Sequence, residues 1–165
     1  MSLPSDDRSA AGPDRPADPL FTIGYERATP TTLVAALKQA GVVTVADVRA
    51  LANSRRPGFA KRALSAALDE AGIDYWHIPA LGTPAAGRLA ARQGRTEAMQ
   101  AIFARHLAGT EAQAALAALQ DRVRREPVCL LCLEADPSHC HRSLVAAALD
   151  TSTVKHLHPG LAGAD

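Results

Sequence analysis

The segment Val42–Arg49 has the sequence VVTVADVR, a run in which β-branched residues dominate. A run of this kind, without alternation of polar and apolar residues, is typical of a strand that is covered on both faces of a parallel sheet. Other apolar runs of strand length are found at Leu20–Gly24 (LFTIG), Ile73–Ile78 (IDYWHI), Val128–Leu133 (VCLLCL) and Val154–Leu157. Because segments with helical spacing separate these runs, the sequence predicts an α/β fold. We expect a single three-layer Rossmann-like domain with a mainly parallel sheet of about five strands and helices on both faces.

Capping residues mark the expected helix boundaries. Thr29 and Pro30 supply an N-cap and a first-turn proline, and Gly41 ends the segment that follows them. Threonine followed by glutamate predicts two more helix starts, at Thr96 and Thr110. Two further helices are expected at Phe59–Ala71 and His139–Leu149.

The remaining segments are expected to lack regular structure. Pro79–Arg95 is rich in glycine and proline, which predicts a long loop with at most one helical turn. Residues 1–19, rich in Pro, Asp, Ser and Ala, are expected to form a flexible tail. The single domain is then expected to span residues 20–158, with residues 159–165 as a C-terminal tail.

Composition excludes several classes of protein. The chain has 165 residues, 47% hydrophobic and 21% charged, which rules out wholesale disorder. The 18 Lys and Arg against 17 Asp and Glu give a net charge of +1, so overall charge predicts no polyanionic partner. No apolar run of roughly 18 residues occurs, so we expect no membrane span and no membrane partner. Three cysteines without a recognisable export signal predict a cytoplasmic location.

Polar and reactive side chains follow every long strand of the expected sheet. Tyr25 comes after the first strand, Asp47 and Arg49 end the second, His77 ends the third, and Glu134 follows the fourth. In an open parallel sheet, ligands bind outside the carboxyl ends of the strands. The sequence therefore predicts a functional site at that edge.

The segment Cys132–Arg142, CLEADPSHCHR, is the densest group of reactive residues. It is expected to place Cys140, His141 and Arg142 near the first turn of a helix, where free N–H groups and the helix dipole favour an anion. A thiolate beside an imidazole and a guanidinium has a lowered pKa and a raised reactivity.

Two interpretations of this segment stay open. In the catalytic one, Cys140 is a nucleophile, and His141 or Glu134 moves protons. In the structural one, Cys140 is a small core residue, and Arg142 pairs with Asp136 or Glu134.

Arginines near the same edge are candidates for binding an anion, because a guanidinium grips phosphate or carboxylate with two N–H groups. The alternative for Asp47 and Arg49 is a buried ion pair that holds the loop, and both interpretations can be true at once. The predicted anion-binding residues are Arg49, Arg55, Arg142, Asp47, Ser54 and Tyr25.

Metal binding is a competing use of the cysteines. Cys129 and Cys132 have the spacing of zinc ligands, but both lie in an expected strand, where residues three apart point to opposite faces. Cys129 is therefore predicted to be a core residue. A zinc site formed by Cys132, Cys140 and a histidine stays an alternative, with His139 as the preferred histidine and His141 also available.

Several of these motifs occur together in a known family. The segments FTIGYE (21–26), VADVRALANSRRPGF (45–59), GIDYWHIPALG (72–82) and CLLCLEADPSHCHRSLVA (129–146) resemble the domain-of-unknown-function family 488. The resemblance implies an α/β domain, but it implies no reaction, because that family is functionally uncharacterised. The shared site that it implies consists of Asp47, Arg49, Ser54, Arg55, Cys132, Glu134, Cys140, His141 and Arg142.

Three hypotheses of function follow. The first is a small hydrolase or transferase that acts on a phosphate-bearing ligand, a nucleotide or a nucleic-acid component. The second is a non-catalytic module that senses or binds a nucleotide in the same place, and the third is the zinc protein. No cofactor is predicted under the first hypothesis. The alanine-rich helical segments 98–107 and 112–123 offer a homodimer face, although core packing explains their spacing equally well.

Overall fold

A computed structural model describes residues 19–160. Five strands and six α-helices alternate along these residues. The strands are β1 (Leu20–Gly24), β2 (Thr44–Asp47), β3 (Asp74–His77), β4 (Val128–Cys132) and β5 (Val154–Leu157). The helices are α1 (Pro30–Gln39), α2 (Lys61–Glu70), α3 (Ala85–Arg92), α4 (Thr96–Leu107), α5 (Thr110–Arg125) and α6 (Arg142–Ala148). Of the two expected tails, residues 1–18 and 161–165 lie outside the described residues.

All five strands are parallel and form one sheet in the order β3-β2-β4-β1-β5. This arrangement confirms the expected α/β fold with its parallel sheet. The central strand β4 pairs with both β1 and β2, so its carboxyl end lies at the middle of the sheet edge. Cys132, the last residue of β4, stands beside Gly24 of β1 in this register.

Alternate residues of β4 supply the cores on the two faces of the sheet. Cys129 and Leu131 pack on the side of α1 and α2, whereas Leu130 and Cys132 pack on the side of α4, α5 and α6. Helices therefore cover both faces, as expected. The two cysteines of the CxxC pattern lie on opposite faces, which confirms that Cys129 belongs to the core.

The start of α1 follows the expected capping pattern. The Thr29 side chain accepts a hydrogen bond from the Thr32 backbone N–H, the Thr32 side chain accepts one from the Thr29 backbone, and Pro30 occupies the first turn. Gly41 follows the helix with a φ of 76°, a conformation that L side chains rarely adopt.

The segment Pro79–Arg95 differs from the expectation of a long loop. It contains a 3₁₀ turn over Pro79–Leu81 and the eight-residue helix α3. Two of its glycines serve close packing rather than chain flexibility. A Cβ at Gly82 would lie 2.2 Å from the Ala50 nitrogen, and one at Gly87 would lie 2.4 Å from the Thr83 side chain. Glycine at such positions is compatible with an ordered helix.

The segment before α6 also differs from the expectation. Pro137–His139 forms a 3₁₀ turn, in which the Asp136 side chain accepts a hydrogen bond from the Ser138 N–H, and α6 begins only at Arg142. Cys140 is consequently extended and His141 is the N-cap residue of α6. The helix expected over His139–Leu149 therefore starts three residues later than predicted, at Arg142, and Cys140 and His141 lie immediately before it.

None of the helices in residues 19–160 combines the length and the apolar character that crossing a bilayer requires.

Candidate functional site

A cavity of about 390 Å³ lies at the carboxyl-terminal edge of the sheet. We call it the edge cavity. Its apolar walls include Leu51, Met99 and Leu133. Its polar lining consists of Tyr25, Glu26, Arg49, Thr83, Arg88, Arg92, Cys132, Glu134, His139 and His141. A larger groove of about 860 Å³ runs along the outer edge of β3, but none of the sequence-predicted site residues lines it. The edge cavity is therefore the better candidate for the site.

His141 is held at the floor of this cavity by a single backbone group. Its Nε2 donates a hydrogen bond to the Val48 carbonyl oxygen at 2.7 Å, and its ring meets the Phe103 ring edge-on at 5.0 Å between centroids. Because a carbonyl can only accept, the hydrogen of the neutral ring resides on Nε2. The lone pair of Nδ1 is then free to face other groups.

Two sulfur atoms face that lone pair. The Nδ1 of His141 lies 3.6 Å from the Cys132 Sγ and 3.9 Å from the Cys140 Sγ. All three side chains are buried, and their ligand atoms lie within 4.8 Å of one another. We call these three residues the Cys–His cluster. The Cys132 thiol also donates to the Glu134 Oε2 at 3.6 Å, which adds a carboxylate to its border.

Burial and mutual contact shift the pKa values of these four groups. Burial, followed by the charge of Cys140, raises the pKa of Glu134 to about 7. Its hydrogen bond with Cys140, together with burial, raises the pKa of Cys132. Burial opposes ionisation of Cys140, but hydrogen bonds from Cys132 and His141 hold its pKa well below the ordinary value. Of the two thiols, Cys140 is the one whose surroundings favour the thiolate form.

The same contacts act on the imidazole. Burial disfavours the charged ring of His141, yet its hydrogen bond with Cys140 raises the pKa above the ordinary value. Protonation of His141 puts the second ring hydrogen on Nδ1, the atom that faces the two sulfurs.

Asp47 and Arg49 form a buried ion pair. The Arg49 Nη2 donates to the Asp47 Oδ2 at 2.6 Å and its Nε to the Oδ1 at 2.9 Å. Its Nη1 donates to the Phe59 carbonyl at 2.7 Å and to the Tyr25 hydroxyl at 3.2 Å. Every nitrogen of this guanidinium thus has a partner inside the protein. This arrangement supports the structural interpretation of the pair, and anion binding by Asp47, Arg49 or Tyr25 stays a prediction.

Arg142 is fully buried beneath the turn that follows β4. Its Nη1 donates to the Glu134 carbonyl at 2.5 Å, and its Nε donates to the Thr22 hydroxyl at 3.1 Å. The contact with Glu134 is made to its backbone carbonyl. The structural interpretation expected an ion pair of Arg142 with Asp136 or Glu134, and the described residues contain no such pair. Arg142 does not line the edge cavity.

The expected loop residues Ser54 and Arg55 do not line the edge cavity either. Ser54 accepts a hydrogen bond from the Arg56 backbone N–H at 3.2 Å, and Arg55 is exposed. The neighbouring Arg56 has the clearer role, because its Nη1 donates to the carbonyls of Tyr25 at 2.6 Å and Glu26 at 2.8 Å. It fixes the chain that follows β1.

The histidine of the expected metal set needs a correction. His139 lines the edge cavity but is exposed, and its Nε2 lies 3.5 Å from the Asp136 Oδ2. The structure brings His141 to the two cysteines in its place. The 3₁₀ turn over Pro137–His139 explains the exchange, because it places the His139 ring beside Asp136, whereas His141 follows the turn and lies beside the two sulfurs.

The structure also adds groups that the sequence signalled weakly or not at all. Arg88 and Arg92 of α3 line the edge cavity, and α3 lies in the segment expected to be a loop. The Val48 carbonyl that orients His141 is a backbone group, so no residue type could have indicated it.

The family model described as Domain of unknown function DUF488 matches residues 29–149 of the chain. The chain belongs to this family. The whole Cys–His cluster and Glu134 lie within the DUF488 match, whereas β1 and Tyr25 precede it and β5 follows it. No curated protein and no solved structure matches the chain.

Proposed function

We propose that this DUF488 protein binds a zinc ion through Cys132, Cys140 and His141 and uses it to activate water in the edge cavity. The observation that supports the proposal is the spacing of the ligand atoms. In a tetrahedral site with Zn–S of about 2.3 Å and Zn–N of about 2.0–2.1 Å, sulfur and nitrogen lie about 3.6 Å apart. The two distances to His141 Nδ1, 3.6 Å and 3.9 Å, come close to this value.

The surroundings of His141 also suit a metal ligand. Histidines that ligate metals usually donate their other ring N–H to a carbonyl or carboxylate, which fixes the ring and makes the ligating nitrogen more basic. The Val48 carbonyl provides this contact to Nε2 at 2.7 Å. Two thiolates and one imidazole form a ligand set that zinc prefers.

The site has the features of a catalytic rather than a structural zinc site. Structural sites are closed by four protein ligands, whereas catalytic sites have three ligands and an open position. Three residues form the cluster, and both Cys132 and His141 line the edge cavity together with Glu134. Cys132, Cys140 and His141 would hold the ion, and the edge cavity would give water or a substrate access to it. A bound zinc ion lowers the pKa of a water ligand to about 7, which supplies a nucleophile at neutral pH.

Glu134 is suited to move the proton in such a reaction. With zinc held by Cys132, Cys140 and His141, the Glu134 carboxylate would accept the proton of the attacking water and, as an acid, would return it to the leaving group. Glu134 borders the cluster at Cys132, within reach of groups that react there. The proposal replaces the expectation that no cofactor is needed, and it gives Cys140 the role of a ligand instead of a nucleophile. Cys140 is only 3% exposed, which agrees with that role.

Metal content tests the proposal directly. Native mass spectrometry of the untagged protein should show one zinc ion per chain, and Cys140→Ser and His141→Ala should each lose it. His158→Ala is the matched control, because this histidine is exposed, lies outside the cavity lining and should leave the zinc content unchanged. A folded wild-type protein that takes up no zinc during titration would contradict the proposal, and so would equal zinc loss in the control.

A further inference from the structure

We infer that the edge cavity binds a phosphate-bearing small molecule, whose anionic group is held by Arg88 and Arg92 of α3. The inference rests on the proposed function in one respect, since the zinc centre is the place where the rest of the ligand would react. A phosphate-bearing small molecule would then be the class of substrate for that centre.

The edge cavity has the size and lining of a small-molecule site. Its volume of about 390 Å³ falls in the range of roughly 300–1,000 Å³ that is usual for such sites. Leu51 is 55% exposed and Leu133 is 41% exposed, both on its walls, so apolar surface is available to cover a ligand. Polar groups converge on the other walls, which is the pattern that fixes the orientation of a bound molecule.

Of the three arginines that line the cavity, two have donors to spare. Arg49 is committed to Asp47, Tyr25 and the Phe59 carbonyl. Within the described part of the chain, Arg88 donates one hydrogen bond, from Nη1 to the Thr83 carbonyl at 2.9 Å, which leaves its other donors for a ligand. Within residues 19–160, neither Arg88 nor Arg92 forms a salt bridge.

The two arginines are placed to act together. They are four residues apart on α3, so their side chains lie on the same face of the helix. Two guanidinium groups side by side present two forks of N–H donors, and a terminal phosphate offers three oxygens to accept them. A carboxylate has only two oxygens and one charge, so the pair favours the phosphate.

The acidic groups of the cavity do not cancel this charge. The Glu26 Oε2 accepts a hydrogen bond from the Ala135 backbone N–H at 2.9 Å, which ties it to the turn after β4. Glu134 borders the Cys–His cluster at Cys132. Two thiolates balance the charge of a divalent zinc ion, so the centre itself is formally neutral. The attraction for an anion therefore comes from α3.

Calorimetry with three probes tests the inference: inorganic phosphate, AMP and adenosine, each titrated into the zinc-loaded protein. AMP should bind more tightly than adenosine, and phosphate should compete with AMP. The double variant Arg88→Gln/Arg92→Gln should bind AMP at least tenfold more weakly and adenosine unchanged. Arg105→Gln is the control, because Arg105 is exposed on α4 and lies outside the cavity lining.

The outcomes separate this inference from the zinc proposal when metal content is measured on the same samples. Zinc-loaded protein that binds neither phosphate nor AMP would overturn the inference alone. So would AMP binding that the double variant leaves intact, or that Arg105→Gln weakens equally. Protein that takes up no zinc during titration, yet binds AMP through its arginines, would overturn the zinc proposal and support the anion site. Thermal unfolding of each variant shows that it is folded before it is titrated.

Discussion

Asp47→Asn should be one of the most damaging conservative substitutions in the protein. The Asp47 carboxylate is fully buried and accepts hydrogen bonds from the Arg49 Nε, Nη2 and backbone N–H as well as from the Tyr75 hydroxyl. The amide keeps the shape of the side chain but removes the charge that balances Arg49. Breaking a buried pair in this way costs about 3–5 kcal/mol, because the remaining charge stays buried without compensation.

The magnitude can be measured by thermal and urea unfolding. For a chain of this size, each kcal/mol lowers the melting temperature by about 2–4 °C, so a loss of 4 kcal/mol predicts a decrease of about 8–16 °C. The double variant Asp47→Asn/Arg49→Met should recover much of the loss, since it removes both charges. A single variant that loses less than about 1 kcal/mol, the range of an exposed pair, would refute the reasoning. AMP affinity of the folded fraction should not change if the pair is purely structural.

Three further predictions concern the metal, the pH dependence and the cysteines. Adding zinc to metal-free protein at 100 times its dissociation constant should raise the free energy of unfolding by about 2.7 kcal/mol, and a chelator should reverse this in differential scanning fluorimetry. Burial lowers the pKa of His156, whose Nδ1 lies 2.6 Å from the Thr22 hydroxyl. Since the native state resists protonation of His156, the contribution of this residue to the free energy of unfolding should fall as the pH drops through about 6.5. In His156→Asn, the free energy of unfolding, measured with urea at a series of pH values, should depend less on pH in this range. Cys132→Ala should lose zinc, whereas Cys129→Ala should lose stability but retain zinc; equal zinc loss would contradict the assignment.

Much of the fold was predictable because its signals are local. The continuous apolar run of β2 and the alternation of strands with helices both come from residues that are close in sequence. The capping residues around α1 act over only three positions, so Thr29 and Pro30 were sufficient to place its start. The strand order β3-β2-β4-β1-β5 depends on contacts between distant segments, and no local pattern indicated it.

The incorrect expectation for Pro79–Arg95 has a specific physical cause. Glycine has two uses that look alike in a sequence, a conformation with positive φ and a close approach of two chains. Gly94 has a φ of 73° and shows the first use. Gly82 and Gly87 show the second, since their missing side chains make room for Ala50 and Thr83. Only tertiary packing separates the two uses, so the sequence did not indicate that an eight-residue helix forms in this segment.

The arginines show why residue type alone could not define the candidate site. Arg49 and Arg142 follow strands at the expected edge, yet internal oxygens occupy their donors. A guanidinium suits both an anionic ligand and a set of backbone carbonyls, because it donates to either with the same geometry. The arginines that can bind a ligand are those whose N–H donors have no acceptor within the protein, and this depends on the whole fold. For this reason Arg88 and Arg92, on an unexpected helix, are better candidates for ligand binding than the arginines of the family motifs. The motif cysteines and His141 do converge, because strand parity and the turn before α6 bring them together.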